Sequence, residues 1–442
     1  MTTRATALLI VFALFVVYNA NGREIGSYDS QPAKFLAVEI ATRQTLTLNY
    51  VVGRLPPLGE RAAFAIDKRG NYRSALPLPS SLGAAAMAWV LSTAGLVDLD
   101  APLGANLVAK LTASLLTATA VGFAFVAASR RTSRRNALIV ALGFGLGTNM
   151  WAGVSQTLWQ QETALCALMG ALALLADRQA SAPQYVAIGA LLGLAGWARP
   201  QLGPTVVVFA GLMLSRLGWR SAPGLAAIAA FGTVAVSVNL AWFGHPLGAV
   251  PALETLHSAI HAVESSFTAR PLESILGLLI SPSRGLFVFS PVVLFAAAGL
   301  TSAWKEGWRT ELSWCAVAAA AQFLSYGMYS VWWGGHTFGP RYVLDILPPL
   351  VLLASAGMHT VMARPVLRLA GAVCLAWSIL VSGTGAFVYP AEMWNMLPAD
   401  VDRNHARLWE WRDSQLLRAA RSDWSPQNFS LFSTAAVSRA PQ

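Results

Sequence analysis

The sequence has few charged residues and few cysteines for its length. Of its 442 residues only 12% are charged, whereas about 25% is usual in a soluble globular protein. This shortage excludes an ordinary soluble enzyme, a disordered chain and a protein that binds nucleic acid. The three cysteines lie inside apolar segments, so we expect neither a disulfide framework nor a cysteine metal cluster. The sequence also lacks a phosphate-binding loop, a dinucleotide-binding glycine turn and a nucleophile elbow.

Hydrophobic residues make up 55% of the chain and occur in successive long runs, which predict an all-α polytopic membrane protein. The first run, Ala5–Tyr18, is followed by a poor cleavage site, so we interpret it as an uncleaved span. The 31 basic residues exceed the 21 acidic ones and cluster in short turns such as 129–135, which is typical of cytoplasmic loops. This distribution predicts about eleven spans if Leu82–Val97 lies along the outer surface.

In that topology the N-terminus is cytoplasmic, the C-terminus is outside, and the long connections share the outer side. The first outer loop covers residues 20–104 approximately and carries surface-lying helices. Further outer segments are Leu256–Arg284 and Trp332–Pro349. We predict a membrane domain over residues 1–390 and a short extracytoplasmic tail over 391–442, with no large recognition domain. The active face is therefore expected to be extracytoplasmic.

Asp29 lies a few residues beyond the first span, and the sequence leaves two interpretations of it open. Asp29 or Ser30 would cap a helix that has Pro32 in its first turn. Alternatively, the Asp29 carboxylate acts as a general base at the membrane surface, beside a substrate carried by a lipid.

The segment Trp332–Pro349 places His336, Arg341 and Asp345 at a membrane boundary, where charges are costly unless paired or bound to a ligand. Arg341 and Asp345 are four residues apart and would pair on a helix. Alternatively, Arg341 and His336 bind an anionic headgroup, because a guanidinium fork matches phosphate oxygens. Arg284, at the outer entrance of another span, is a second candidate for the phosphate.

Other polar residues expected on the outer face are weaker candidates for substrate binding. Arg73 is a candidate phosphate contact in the loop before the surface-lying run. The others are Glu162, Arg199 and His245. The spacing of His257, His261 and Glu264 suits a metal, but a solvated helix face is the commoner explanation. We therefore predict no metal ligand and no cofactor, and the need for a divalent metal stays open.

Several outer-face segments follow one another in a fixed order within residues 1–390. They are Tyr28-Asp-Ser with Lys34 and Glu39, Leu76-Pro-Leu-Pro-Ser-Ser-Leu, Asn239 with Phe243-Gly-His-Pro, Ser281-Pro-Ser-Arg-Gly-Leu, and Gly334-Gly-His-Thr-Phe-Gly-Pro-Arg-Tyr. In this order the chain resembles bacterial glycosyltransferases of the GT-C superfamily. The branch it resembles contains the protein O-mannosyltransferases and the aminoarabinose transferase of lipid A.

The resemblance implies a GT-C fold and a sugar donor linked to a polyprenyl phosphate. In that family an acidic residue just after the first span activates the acceptor, so Asp29 takes the role of base. Lys34 belongs to the same motif and is included among the substrate-binding residues. The chain departs from the family at Asp29-Ser30, where paired acidic residues are frequent, and at Gln161-Glu162, where an aspartate is frequent.

The implied reaction moves the sugar to a hydroxyl of a lipid, glycan or protein acceptor, with inversion, at the outer face of the bacterial inner membrane. The leaving phosphate is a stable anion, so the enzyme needs a base for the acceptor and fixed cations for the phosphate. Two other classes stay open. A lipid or polysaccharide transporter would place charges in the middle of several spans and show repeats. An O-antigen ligase or polymerase would share the lipid-phosphate chemistry but lack the acidic motif.

Overall fold

The structure is a computed structural model that describes residues 2–53, 63–101, 103–177, 181–268 and 270–432. Nearly all of its regular structure is helical, as the apolar runs predict. The helices of the first half are α1 (Thr3–Asn19), α2 (Gln31–Arg43), α3 (Asn49–Val52), α4 (Pro79–Thr93), α5 (Gly104–Ser129), α6 (Arg134–Leu146), α7 (Asn149–Ala152), α8 (Gln161–Leu175), α9 (Ala182–Ala198), α10 (Gly203–Leu217) and α11 (Ala222–Phe243). Those of the second half are α12 (Val250–His261), α13 (Pro271–Ile280), α14 (Leu286–Phe289), α15 (Leu300–Glu306), α16 (Glu311–Gly327), α17 (Leu347–Ala363), α18 (Pro365–Phe387) and α19 (Gln415–Arg421).

Short 3-10 helices and one small hairpin connect these elements. The hairpin pairs β1 (Phe64–Ile66) with β2 (Tyr72–Ser74) in antiparallel register. The 3-10 helices are Tyr28–Ser30, Val154–Gln156, Pro200–Leu202, Gly218–Ser221, Pro291–Gly299, Gly307–Arg309, Tyr342–Ile346, Ala391–Met393 and His405–Trp409. Several of them lie next to the candidate site, where irregular backbone aims polar side chains inward.

The core of the bundle is formed by α5 and α8. Helix α5 packs against α1, α6 and α8, and α8 packs in turn against α9. The buried side of α5 consists largely of alanine, glycine, serine and threonine. Small residues let helix backbones approach closely, and close packing is what holds helices together in lipid. A similar approach joins α9 to α11, where a Cβ at Gly189 would lie 2.0 Å from the carbonyl oxygen of Gly224.

Four helical stretches of the described chain are long and apolar enough to cross a membrane, and a fifth is added if one bent pair of helices counts as a single span. The four are Gly104–Ser129, Pro200–Phe243, Tyr342–Ala363 and Pro365–Phe387. The bent pair is Arg134–Leu146 with Asn149–Gln156, which meet at 41°. The all-α polytopic fold class is therefore confirmed, while the number of eleven spans stays a prediction.

The turns that the charge distribution assigns to the cytoplasm meet at one end of the bundle. Arg131 of the turn after α5 forms ion pairs with Glu306 and Glu311. Arg216, at the end of α10, lies 2.7 Å from the second oxygen of Glu311. These contacts place three separate turns on the same side, which is the arrangement that the topology requires.

The first outer loop folds back on the bundle. Helix α2 packs along α4, and both contact α5. Helix α4 covers most of the run Leu82–Val97 and exposes Trp89 and Val90 on its free side. Its position along the membrane surface stays a prediction.

Candidate functional site

A cavity of about 340 Å³ lies between the first outer loop, α12 and the segment that follows α16. Of the nine site residues predicted from the sequence, this cavity brings four together: Asp29, Arg199, His336 and Arg341. We call it the Asp29 cavity. Its walls also include apolar side chains, of which Leu253 and Leu256 belong to α12.

Asp29 stands in the 3-10 turn Tyr28–Ser30, with its side chain 37% exposed. One carboxylate oxygen accepts a hydrogen bond from the Ser27 hydroxyl, and the other lies 2.9 Å from Nη1 of Arg341. Helix α2 begins after Ser30, and no side chain caps it. Ser30 therefore occupies the N-cap position of α2 without a side-chain capping bond, whereas the Asp29 carboxylate does not cap α2 and is turned towards the cavity and a cation.

Arg341 faces Asp29 from the opposite wall. Its guanidinium carbon lies 4.3 Å from the centre of the Trp159 ring, a cation–π contact that holds the plane of the group. Its Nε is buried and has no hydrogen-bond partner in the described chain. Asp29 accepts a hydrogen bond from Nη1 only, so other N–H donors of the Arg341 guanidinium are available to a further anion.

The predicted pair between Arg341 and Asp345 does not form. Asp345 instead forms a buried ion pair with Arg199 and accepts a hydrogen bond from the Tyr326 hydroxyl. The Tyr326 ring stacks on Tyr342 with centres 5.1 Å apart, which ties this pair to the segment that carries Arg341. Arg199 therefore enters the cavity wall as a cation fixed from behind by a carboxylate.

The charge of Asp29 is set by two opposing effects. Burial raises the pKa of the carboxyl, but the Arg341 guanidinium and the Ser27 hydroxyl outweigh it, so the pKa lies below its ordinary value. Asp29 is consequently ionised at neutral pH and able to accept a proton. Any loss of positive charge at Arg341 makes this carboxylate a stronger base.

His336 borders the same cavity and approaches two carboxylates of the C-terminal tail. Its Nε2 lies 2.9 Å from Asp400 and 3.3 Å from Asp402. The imidazole nitrogen of His336 and one carboxylate oxygen each of Asp400 and Asp402 lie within 4.8 Å of one another, a spacing that suits a divalent cation. Burial raises the pKa of Asp402, but the facing His261 and the Trp333 indole lower it to about 2.

The surroundings of this cluster fit a metal ion. Nδ1 of His261 is a further imidazole nitrogen beside the cluster, buried and 3.0 Å from Asp402. A buried imidazole nitrogen beside a carboxylate is a candidate additional ligand, and mixed imidazole and carboxylate sets suit zinc or manganese. The sequence pointed to His261 with His257 and Glu264, whereas the structure groups His261 with His336 and the tail.

Arg284 differs from its expected role. Its side chain is fully buried and is absent from the wall of the Asp29 cavity. Its five N–H groups donate to the carbonyl oxygens of Ser283, Trp333 and Gly335 and to the side chains of Asn395 and Gln415. An arginine has five such donors, so none is left for a phosphate. Arg284 instead joins the 333–335 segment to the tail.

Lys34 and Arg73 are engaged in ion pairs within the first outer loop. Nζ of Lys34 is buried, 2.7 Å from Asn106 and 3.4 Å from Glu24. Arg73 lies on β2, 2.8 Å from Asp67 and over the Trp242 ring. Neither side chain reaches the cavity wall, so their contact with substrate stays a prediction.

Glu162 and His245 also lie outside the cavity wall. Glu162 is fully buried at the start of α8, where one of its oxygens accepts the backbone N–H of Trp159 at 2.9 Å. His245 is exposed beyond α11, and its Nδ1 accepts the backbone N–H of Leu247. Glu162 thus supports the Trp159 turn on which Arg341 rests.

Sequence reasoning missed Trp159, Tyr326, Asp400 and Asp402. The two aspartates stand two positions apart in the tail, a spacing that marks possible cation ligands. The prediction of a short separate tail over 391–442 gives no reason to place them beside the site. The structure packs it against the site, with Trp394 buried and Asp402 in the cavity wall.

Together the helical bundle, the folded first outer loop and the polar cavity beside it define an all-α polytopic membrane protein. Comparison with solved structures supports this class. The chain is similar to the crystal structure of ArnT from Cupriavidus metallidurans bound to undecaprenyl phosphate, with a TM-score of 0.53 and 16% sequence identity. The match covers 98% of this chain and 71% of ArnT. The expected resemblance is therefore confirmed at the level of the fold. No protein-family model and no curated protein sequence matches the chain.

Proposed function

We propose that the protein is a membrane glycosyltransferase that moves a sugar from a polyprenyl-phosphate donor to an acceptor hydroxyl. The observation that carries the proposal is the pairing of Asp29 and Arg341 in one cavity, 2.9 Å apart. One group supplies the base and the other a cation for the leaving phosphate, which are the two groups that this reaction needs. The structural likeness to ArnT, a protein seen bound to undecaprenyl phosphate, supports the choice of donor.

In the proposed reaction Asp29 accepts the proton of the acceptor hydroxyl. The hydroxyl oxygen forms a bond to the anomeric carbon while the bond from that carbon to the phosphate oxygen breaks. The bonding electrons leave with the phosphate, which Arg341 and Arg199 hold. A single displacement of this kind inverts the anomeric carbon, and no protonation of the leaving group is required.

Donor binding and base strength are coupled in this arrangement. A donor phosphate has to compete with Asp29 for Arg341, whose Nε is already free of partners. When the phosphate neutralises the guanidinium, the main effect that lowers the pKa of Asp29 is weakened. The carboxylate thus becomes a better base only when a donor is present.

A divalent cation held by His336, Asp400 and Asp402 would add positive charge to the rim of the cavity. The three residues fit such an ion by their distances and ligand types. In the proposed topology this rim lies on the extracytoplasmic side of the bacterial inner membrane. A lipid, glycan or protein acceptor would reach it from there.

Binding of undecaprenyl phosphate to the purified full-length protein tests the proposal. Arg341→Ala should weaken this binding about tenfold or more, because a charge-assisted hydrogen bond is worth about 1.5–3 kcal/mol. Arg403→Ala is the matched control, since Arg403 is exposed in the tail and its side chain forms no hydrogen bond or ion pair within the described chain. Equal affinity of Arg341→Ala and the control would contradict the proposed phosphate site.

A further inference from the structure

A second cavity shares no lining residue with the Asp29 cavity. It has a volume of about 280 Å³ and runs between α6, α17, α18 and the segment Pro291–Gly299. We call it the α6/α18 groove. All its lining side chains are apolar except Arg135, Thr148 and Arg368. The two arginines stand at one end, near the first residues of α6 and α18.

The groove is long enough for a lipid chain. It extends along α17 from Leu347 to Met362, which is about 22 Å at the rise of an α-helix. One leaflet has a hydrocarbon depth of roughly 15 Å. Helix α17 begins two residues after Asp345 of the candidate site, so the arginines occupy the end remote from that site.

The charges of Arg135 and Arg368 are uncompensated. Both side chains are exposed, and neither forms an ion pair or a side-chain hydrogen bond in the part of the chain that the structure describes. Arg131, four residues before Arg135, instead pairs with two glutamates. Each free arginine also lies at the positive end of a helix dipole, which makes an anion there more favourable still.

We infer that the α6/α18 groove binds one anionic phospholipid of the leaflet on that side. An acyl chain lies in the apolar part, and the headgroup phosphate sits between Arg135 and Arg368. The arginine bias predicts that this end is cytoplasmic, and basic pockets between helices on that side suit anionic headgroups. The inference is independent of sugar transfer, because it concerns other residues and the opposite end of α17.

Native mass spectrometry of the full-length protein, titrated with phosphatidylglycerol or phosphatidylcholine, tests the headgroup contact. Phosphatidylglycerol should bind more tightly. The double variant Arg135→Gln/Arg368→Gln should bind phosphatidylglycerol about 30-fold more weakly, since each arginine near an anionic surface raises the affinity roughly fivefold. Arg220→Gln is the matched control, an exposed arginine in another turn at the same end and outside the groove.

A second pair of variants tests the groove itself. Ala372→Trp fills the groove while both arginines remain, and it should abolish retention of phosphatidylglycerol. Val373→Trp is the control, because Val373 is 61% exposed and lies outside the groove. Equal binding of the two phospholipids, or unchanged binding in the double arginine variant, would overturn the inference. So would an Ala372→Trp protein that loses undecaprenyl phosphate but keeps phosphatidylglycerol, since the groove would then hold the donor's tail.

Discussion

Replacement of Asp29 by asparagine tests the centre of the proposed mechanism. The amide keeps the shape of the carboxylate but cannot take up a proton at neutral pH. We expect sugar transfer to fall about 100-fold or more, the usual contribution of a general base, which corresponds to about 2.7 kcal/mol in the barrier. The pair with Arg341 is partly exposed, so its loss should cost at most about 1 kcal/mol in the free energy of unfolding.

These two magnitudes separate a chemical role of Asp29 from a structural one. The assay follows release of undecaprenyl phosphate from sugar lipids extracted from the host membrane, in parallel with thermal unfolding. Binding of undecaprenyl phosphate should persist or strengthen in Asp29→Asn, because Arg341 is released from its partner. Asp98→Asn serves as the control, since Asp98 is an exposed aspartate of the same loop, away from the cavity.

Transfer by Asp29→Asn within about tenfold of the parent would refute the assignment, because a base that contributes tenfold or less is outside the usual range. A parallel loss of transfer, lipid binding and thermal stability would likewise refute it, and would make Asp29 a structural residue. Loss of transfer alone, with the control active, is the outcome that the geometry predicts.

Three further predictions concern other parts of the site. In Arg341→Ala the burial of Asp29 is opposed mainly by the Ser27 hydroxyl alone, so the Asp29 pKa rises and the acid limb of the pH–rate profile should move to higher pH. The Asp29 pKa is lower in the folded parent than in the unfolded chain. Ionised Asp29 therefore stabilises the fold at pH values above its unfolded pKa, and this stabilisation is lost as the pH falls through its folded pKa. The acid-induced loss of unfolding free energy should be smaller in Arg341→Ala. Arg284→Ala leaves several buried acceptors unpaired and should lower the free energy of unfolding by about 3 kcal/mol or more, measured against Arg403→Ala. Protein purified with Asp402→Asn should retain less zinc or manganese by elemental analysis, and equal metal content in parent and variant would argue against a metal at His336.

The fold was predictable because lipid leaves a chain few choices. Backbone groups in a bilayer must be paired within the segment, so long apolar runs with little charge indicate helices. The setting of Arg284 was not predictable, because two of its acceptors, Asn395 and Gln415, lie 111 and 131 positions further along the chain. An arginine beside an apolar run of the sequence indicates that its charge needs a hydrogen-bonding partner. The sequence does not show whether that partner is a substrate or the protein's own tail.

The partner of Arg341 was missed for a local reason. The expected pair with Asp345 assumes an α-helix, in which residues four apart share a face. The segment Tyr342–Ile346 is a 3-10 helix, and three residues per turn rotate positions four apart by about 120°. Asp345 therefore turns to Arg199, and Arg341 turns across the cavity to Asp29, 312 positions earlier. The two alternatives for Arg341, an ion pair or a phosphate contact, are therefore compatible. In the mechanism that we propose, Arg341 pairs with Asp29 until a donor phosphate takes the place of the carboxylate.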